Sequence, residues 1–144
     1  MNQALEFFKS KIGKRASDIS PSGTGKWMDG VLTEVEENSL SVEFEIREEM
    51  LNPGDILHGG IAATMMDDVM GMTVFSLGRK SFYVTVNLAV DYLRNAKLGE
   101  KIVAKSQIVR AGENVIYLTC DLLNSQGKSI ARCTSNMVKI NFPK

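Results

Sequence analysis

Two adjacent carboxylates, Asp67 and Asp68, sit at the centre of the most apolar window of the chain, residues 61–77. A carboxylate without a partner in such a segment costs on the order of several kcal/mol unless it is solvated, paired or protonated. Just before the window stands His58-Gly59-Gly60. The free N–H groups of a helix N-terminus cradle negative charge, and glycines let a ligand approach that backbone. Asp67 follows Gly60 by seven positions, about 20° away on a helical wheel and close to the stripe of Thr64 and Gly71. Asp68 is rotated by about 100°, toward Thr64 and Met72, where solvent or a subunit partner would meet it. A row of amide donors with a carboxylate two turns down the same face is the equipment of oxyanion chemistry assisted by a base. Taken singly, each part has a plainer reading: Gly-Gly as close packing, His58 as a helix cap, the carboxylates as structural ions.

Other chemistries are poorly supplied. His58 is the one histidine, which excludes His-rich metal sites, and Cys120 and Cys133 stand at no metal-ligand spacing. No G-x-S-x-G elbow is present. Ser22-Gly23-Thr24-Gly25-Lys26 is like a phosphate-binding loop only in part, because Ser20 stands where the first glycine belongs and Trp27 follows the lysine.

The elements that hold these residues follow from periodicity. The segment 59–77, apolar almost all round, predicts a single surrounded helix about 28 Å long. Leu5, Phe8 and Ile12 fall at helical spacing and predict a short amphipathic N-terminal helix, with 13–25 as loop. Alternation over 26–36 and, most cleanly, at Leu40, Val42, Phe44 and Ile46 predicts a hairpin. Four more strands are expected at 83–92, 101–110, 114–123 and 129–141, joined by short turns and therefore antiparallel. The economical α+β arrangement is an antiparallel sheet of about six strands wrapped around the long helix. Its exposed edges would be covered by a second copy.

The 144 residues suit one domain, 1–144, of which 1–25 supply the N-terminal helix and loop. With 17 basic against 17 acidic residues, no block of like charge points to nucleic acid or an anionic membrane. Two carboxylates inside the apolar window exclude a bilayer span, and the N-terminus has no secretory pattern. Two cysteines read as buried small hydrophobes in a reducing, cytoplasmic setting.

Asn52, His58-Gly59-Gly60, Asp67 nine positions after the histidine, and the strand sequence 84–100 together resemble the hotdog-fold acyl-CoA thioesterases of the PaaI-like, phenylacetate-pathway branch. The likeness covers roughly residues 28–140. It implies that the Gly59 N–H polarises the thioester carbonyl with Asn52 assisting, and that Gly60 lines the same helix end. Asp67 then acts as general base on a water or attacks directly, Thr85 helps hold the water, and His58 orients the loop or contacts the thioester. The resemblance implies a site shared between two subunits, hence a homo-oligomer with a dimer as its minimal unit and a tetramer as a dimer of dimers. It requires no metal and no cofactor beyond the coenzyme A of the acyl-CoA substrate. Tyr83 and Phe82, with Met65, Met66, Met70 and Met72, are candidates for an acyl pocket, though core filling explains most of the methionines. Arg94, Lys97, Lys101 and Arg110 are candidates for the coenzyme A phosphates. A hydratase of the same fold needs Asp five residues before His, where this chain has Pro53. The alternative from another class is a non-catalytic acyl-CoA-binding module, a ligand sensor or scaffold.

Overall fold

Asn2 starts the first helix, accepting through its side chain from the N–H groups of Ala4 and Leu5. A computed structural model describes residues 2–141. Helix α1 (Gln3–Ser10) is followed by two short helices, α2 (Ala16–Ile19) and α3 (Gly23–Met28). Strands β1 (Val31–Glu36) and β2 (Ser39–Glu45) form the first hairpin, and the long helix α4 (Gly59–Phe75) comes next. Strands β3 (Phe82–Tyr92), β4 (Lys101–Ala111), β5 (Val115–Leu123) and β6 (Ser129–Ile140) complete the chain.

All six strands belong to one antiparallel sheet in the order β1-β2-β4-β5-β6-β3, and α4 lies against β2 through β6. The alternation read from Leu40, Val42, Phe44 and Ile46 is the inward face of β2, and all four are buried. Facing them from α4 are Met65, Met66, Val69 and Met70, all inaccessible. Three of the four helix methionines are thus core filling, and only Met72 is partly open. Cys120 and Cys133 are free, buried and directly opposed across β5 and β6. No helix among the described residues is long and apolar enough to cross a membrane.

Two expectations need correction. Residues 26–28 are helix rather than strand: Ser22 caps α3 through the Gly25 N–H, and Asp29 ends it in the left-handed region at φ 52°. Asp29 is fixed there by the Ser17 N–H and by Arg15. The apparent alternation through Trp27 and Asp29 was incidental, and the 13–25 loop contains α2 and the start of α3. The long helix also stops two residues early, at Phe75. Gly78 takes φ +72° and the Asn2 amide donates to the Ser76 carbonyl, so α1 docks where α4 ends.

α4 is half wrapped rather than enclosed. Its outer face carries Thr64, Asp67, Asp68 and Gly71, and Phe75 is 61% exposed. β3, an edge strand of 11 residues, exposes Phe82, Val86 and Tyr92. A bulge at Thr85/Asn87 breaks the simple alternation expected of it.

Gly30, buried where the chain enters β1, has no room for a side chain: a Cβ there would collide with Val42 and lie 2.7 Å from the Phe44 ring. Overpacking of this kind costs about 1–3 kcal/mol. Gly30→Ala is expected to lower the unfolding free energy by that amount in urea titration.

Candidate active site

His58 is the N-cap of α4, and its Nδ1 accepts from the Gly60 N–H at 2.9 Å. With Nδ1 an acceptor, the ring proton of the neutral side chain sits on Nε2. The His58 carbonyl takes the N–H groups of Ile61 and Ala62. The Ala62 bond is the first regular helical one, and the His58 N–H itself donates to the Met50 carbonyl at 2.8 Å. Of the four amides that a helix start leaves open, those of His58, Gly60 and Ile61 are therefore satisfied inside the chain. The Gly59 N–H alone has no acceptor among the described residues. The sequence points to a helix end rich in donors; the structure narrows it to one.

Both glycines of the pair clear space for side chains of this chain. A Cβ on Gly60 would stand 3.1 Å from the His58 ring, and one on Gly59 would stand 3.2 Å from the Tyr92 ring. Tyr92 also donates its hydroxyl to the Gly59 carbonyl at 2.7 Å. Sequence reasoning took Tyr92 only as a strand residue, since no local pattern ties it to a glycine 33 positions earlier.

Asn52 holds the preceding turn. Its Oδ1 accepts from the N–H groups of Gly54 at 2.9 Å and Ile56 at 3.3 Å, which leaves the side-chain NH₂ as a free donor. Asn52 and Gly59 line one cleft of about 180 Å³ together with Tyr92, Arg94 and Asn95. The cleft thus offers two unspent neutral donors with a guanidinium beside them. Arg94 is anchored there by donation to the Ser129 carbonyl at 2.9 Å.

Asp67 lies two turns along α4 and accepts from the Thr85 hydroxyl at 2.8 Å through Oδ1. Its Oδ2 has no partner among the described residues. One oxygen fixed and one open is a suitable state for a carboxylate that must receive a proton. Within one chain Asp67 and Gly59 are about 12 Å apart along the helix, eight residues at the α-helical rise. Tyr83 is farther still, near the end of α4: its hydroxyl donates to the Glu113 carbonyl and accepts from Arg79. Arg110 occupies that same end, beside the β4–β5 turn, whereas Lys97 is exposed on the β3–β4 connection and Lys101 begins β4. One chain therefore gathers Asn52, Gly59 and Arg94 in one place, Asp67 with Thr85 in a second, and Tyr83 with Arg110 in a third.

A model of the thioesterase superfamily matches residues 54–131. The chain belongs to the thioesterase superfamily. The matched stretch runs from the Asn52 turn through α4 and into β6, so it includes Gly59, Asp67 and Thr85. Human acyl-coenzyme A thioesterase 13 is 34% identical over 91 residues, which cover 62% of this chain and 65% of that protein, a little under two thirds of its length. The PaaI protein of the Escherichia coli phenylacetic acid degradation operon superposes with a TM-score of 0.83 at 18% identity, over 97% of this chain and 96% of that one. Zebrafish thioesterase superfamily member 2 superposes at 0.75 with 25% identity, over 97% of both chains. A curled six-stranded sheet around one long helix is the hotdog fold of this superfamily.

Asp68 behaves differently from its neighbour. It faces the 20–25 segment, with Oδ2 3.5 Å from where a Gly25 Cβ would stand, and is half-buried within the chain. Burial, then repulsion from Asp67, pushes its pKa up. The folded chain therefore holds this proton more tightly than the unfolded chain, and stability falls as pH rises through the interval between the two values. Asp68→Asn is expected to be more stable than the parent near neutral pH. That advantage should shrink as pH is lowered toward the ordinary carboxylate range of about 4. Urea unfolding at a series of pH values checks this; a gap that stays constant with pH would contradict it.

Proposed function

We propose that the protein hydrolyses the thioester of an acyl-CoA, releasing the free acid and coenzyme A, at a site shared between two subunits. The observation that carries this reading is the pairing of two half-sites: Asp67 steadied by Thr85, and the open Gly59 N–H beside the Asn52 NH₂. The chemistry they suit is attack on a carbonyl. Asp67 Oδ2 takes a proton from a water as the water oxygen bonds to the thioester carbon. Negative charge gathers on the carbonyl oxygen, where the Gly59 and Asn52 donors meet it. Collapse of the tetrahedral species breaks the C–S bond, and the proton held by Asp67 passes to the departing thiolate. These residues complete the step without metal or redox chemistry.

A distance of about 12 Å prevents one chain from bringing both halves to one carbonyl, because donors must stand within about 3 Å of the oxygen. The long, apolar edge of β3 supports the solution. Pairing β3 antiparallel with its copy about a two-fold axis lays the Tyr83 end of one chain beside the Tyr92 end of the other. Asp67 then approaches the partner's Gly59, and Tyr83 and Arg110 approach the partner's Arg94. In this arrangement Arg94 and Lys97 are the favoured contacts for coenzyme A phosphates, and the cytoplasm is the setting in which such a substrate is met.

Thiol release from a panel of acyl-CoAs is the direct test. Asp67→Ala should remain a folded oligomer and lose at least about 10²–10³-fold in kcat, the scale for a lost base or oxyanion donor. Asp68→Ala should retain most activity. Tight acyl-CoA binding by the parent without thiol release would replace this reading with that of a binding module. The shared site has its own test. Asp67→Ala and Asn52→Ala chains, each inactive alone, should regain about one quarter of parental activity when mixed and reassembled: half the dimers are mixed, with one intact site of two. No recovery on mixing would place the whole site in one subunit.

A further inference from the structure

A larger cavity lies on another face of α4, between that helix, the β1–β2 hairpin and the N-terminal segment. It measures about 370 Å³ and is walled chiefly by Phe7, Phe8, Ile19, Phe44, Met72 and Phe75. Volumes of about 300–1,000 Å³ are those of small-molecule sites. None of Asn52, Gly59, Asp67 or Thr85 lines it, so it is separate from both half-sites. Its one carboxyl is Asp68, half-buried and without a hydrogen bond or ion pair among the described residues. Lys14 contributes an ammonium from an exposed position, and Ser20, whose hydroxyl accepts from the Ser22 N–H, completes the polar groups.

The lining selects the chemistry of an occupant. An apolar body fills the cavity, and a hydrogen-bonding group must meet Asp68, since a buried carboxyl left unmatched is costly. Asp68 and Lys14 carry opposite charges in one lining, so a neutral ligand leaves no net charge to be matched in this apolar cavity. A hydroxyl suits the carboxyl in either protonation form, donating to the carboxylate or accepting from the acid. The rings of Phe7, Phe8 and Phe75 are arranged edge to face, with centroids 5.6 Å and 6.2 Å apart, and such a wall accommodates another ring.

We propose that this cavity binds a neutral, hydroxyl-bearing apolar molecule of alkylphenol size, its hydroxyl bonded to Asp68 and its body among the three phenylalanines. Binding here does not depend on thioester hydrolysis. The full-length protein is titrated by calorimetry with 4-propylphenol and, separately, with propylbenzene. The phenol should saturate one site per chain and bind about tenfold more tightly than propylbenzene, the value of one net hydrogen bond. Asp68→Leu should abolish that preference while still binding both. Ala16→Phe, which places a ring in the cavity from the α2 wall, should weaken both ligands together. No saturable binding of 4-propylphenol, an unchanged preference in Asp68→Leu, or undiminished binding in Ala16→Phe would each overturn the proposal.

Discussion

The rest of the site depends on how the start of α4 spends its amides. A helix N-terminus offers up to four donors, yet an end that satisfied none of them would be costly in a folded chain. His58 resolves most of this: its carbonyl and its Nδ1 take the Ile61 and Gly60 amides, and its own N–H donates to the Met50 carbonyl. What remains is a single N–H, at Gly59, held rigidly because the turn on either side of it is fully bonded. Tyr92 steadies the other side of the same peptide through the Gly59 carbonyl. In the proposed reaction a donor fixed in this way needs no reorganisation when charge develops in front of it.

Rigidity also carries the consequence for assembly. Gly59 and Asp67 lie on one helix whose inner face is filled by Met65, Met66, Val69 and Met70. No bending of that helix brings the two groups together without emptying the core. The sheet adds a second constraint, since β1 and β3 are left as edges. β3 is long, apolar on its outer surface, and carries Thr85 and Tyr92, the residues that orient each half-site. The edge left open is therefore the one that carries residues of both halves, and in the proposed dimer association and completion of the site are one event.

Much of this was legible in the residues because it rests on local chemistry. The inward faces of the strands follow from alternation, most clearly at Leu40, Val42, Phe44 and Ile46. The cap, the glycines and Asp67 follow from spacing along one helix. What was not legible depends on contacts distant in sequence. The Tyr92 bond to Gly59 and the docking of Asn2 on Ser76 join residues 33 and 74 positions apart. The misread start of β1 has a related cause: Asp29 is held in its left-handed turn by Arg15 and Ser17, and no alternation pattern encodes that. The bulge in β3 likewise displaces Val86 from the inward register that simple alternation assigns to it.

The paired aspartates show how one helix turn separates two environments. Asp67 has a hydroxyl partner on β3, whereas Asp68 has none among the described residues and faces an apolar cavity bordered by the N-terminal segment. Adjacent in sequence and of like charge, they repel each other, and Asp68 takes up that strain through its raised pKa. The division suits the proposed reaction, in which the carboxylate that accepts a proton from water works best when its neighbour is not also charged beside it. Burial, with the repulsion from Asp67 beside it, favours the proton on Asp68. The 20–25 segment, where the bare Gly25 leaves room for the Ser20 side chain, is what lies against the Asp68 carboxyl. The N-terminal segment thus shapes the surroundings of Asp68 from a distant part of the sequence.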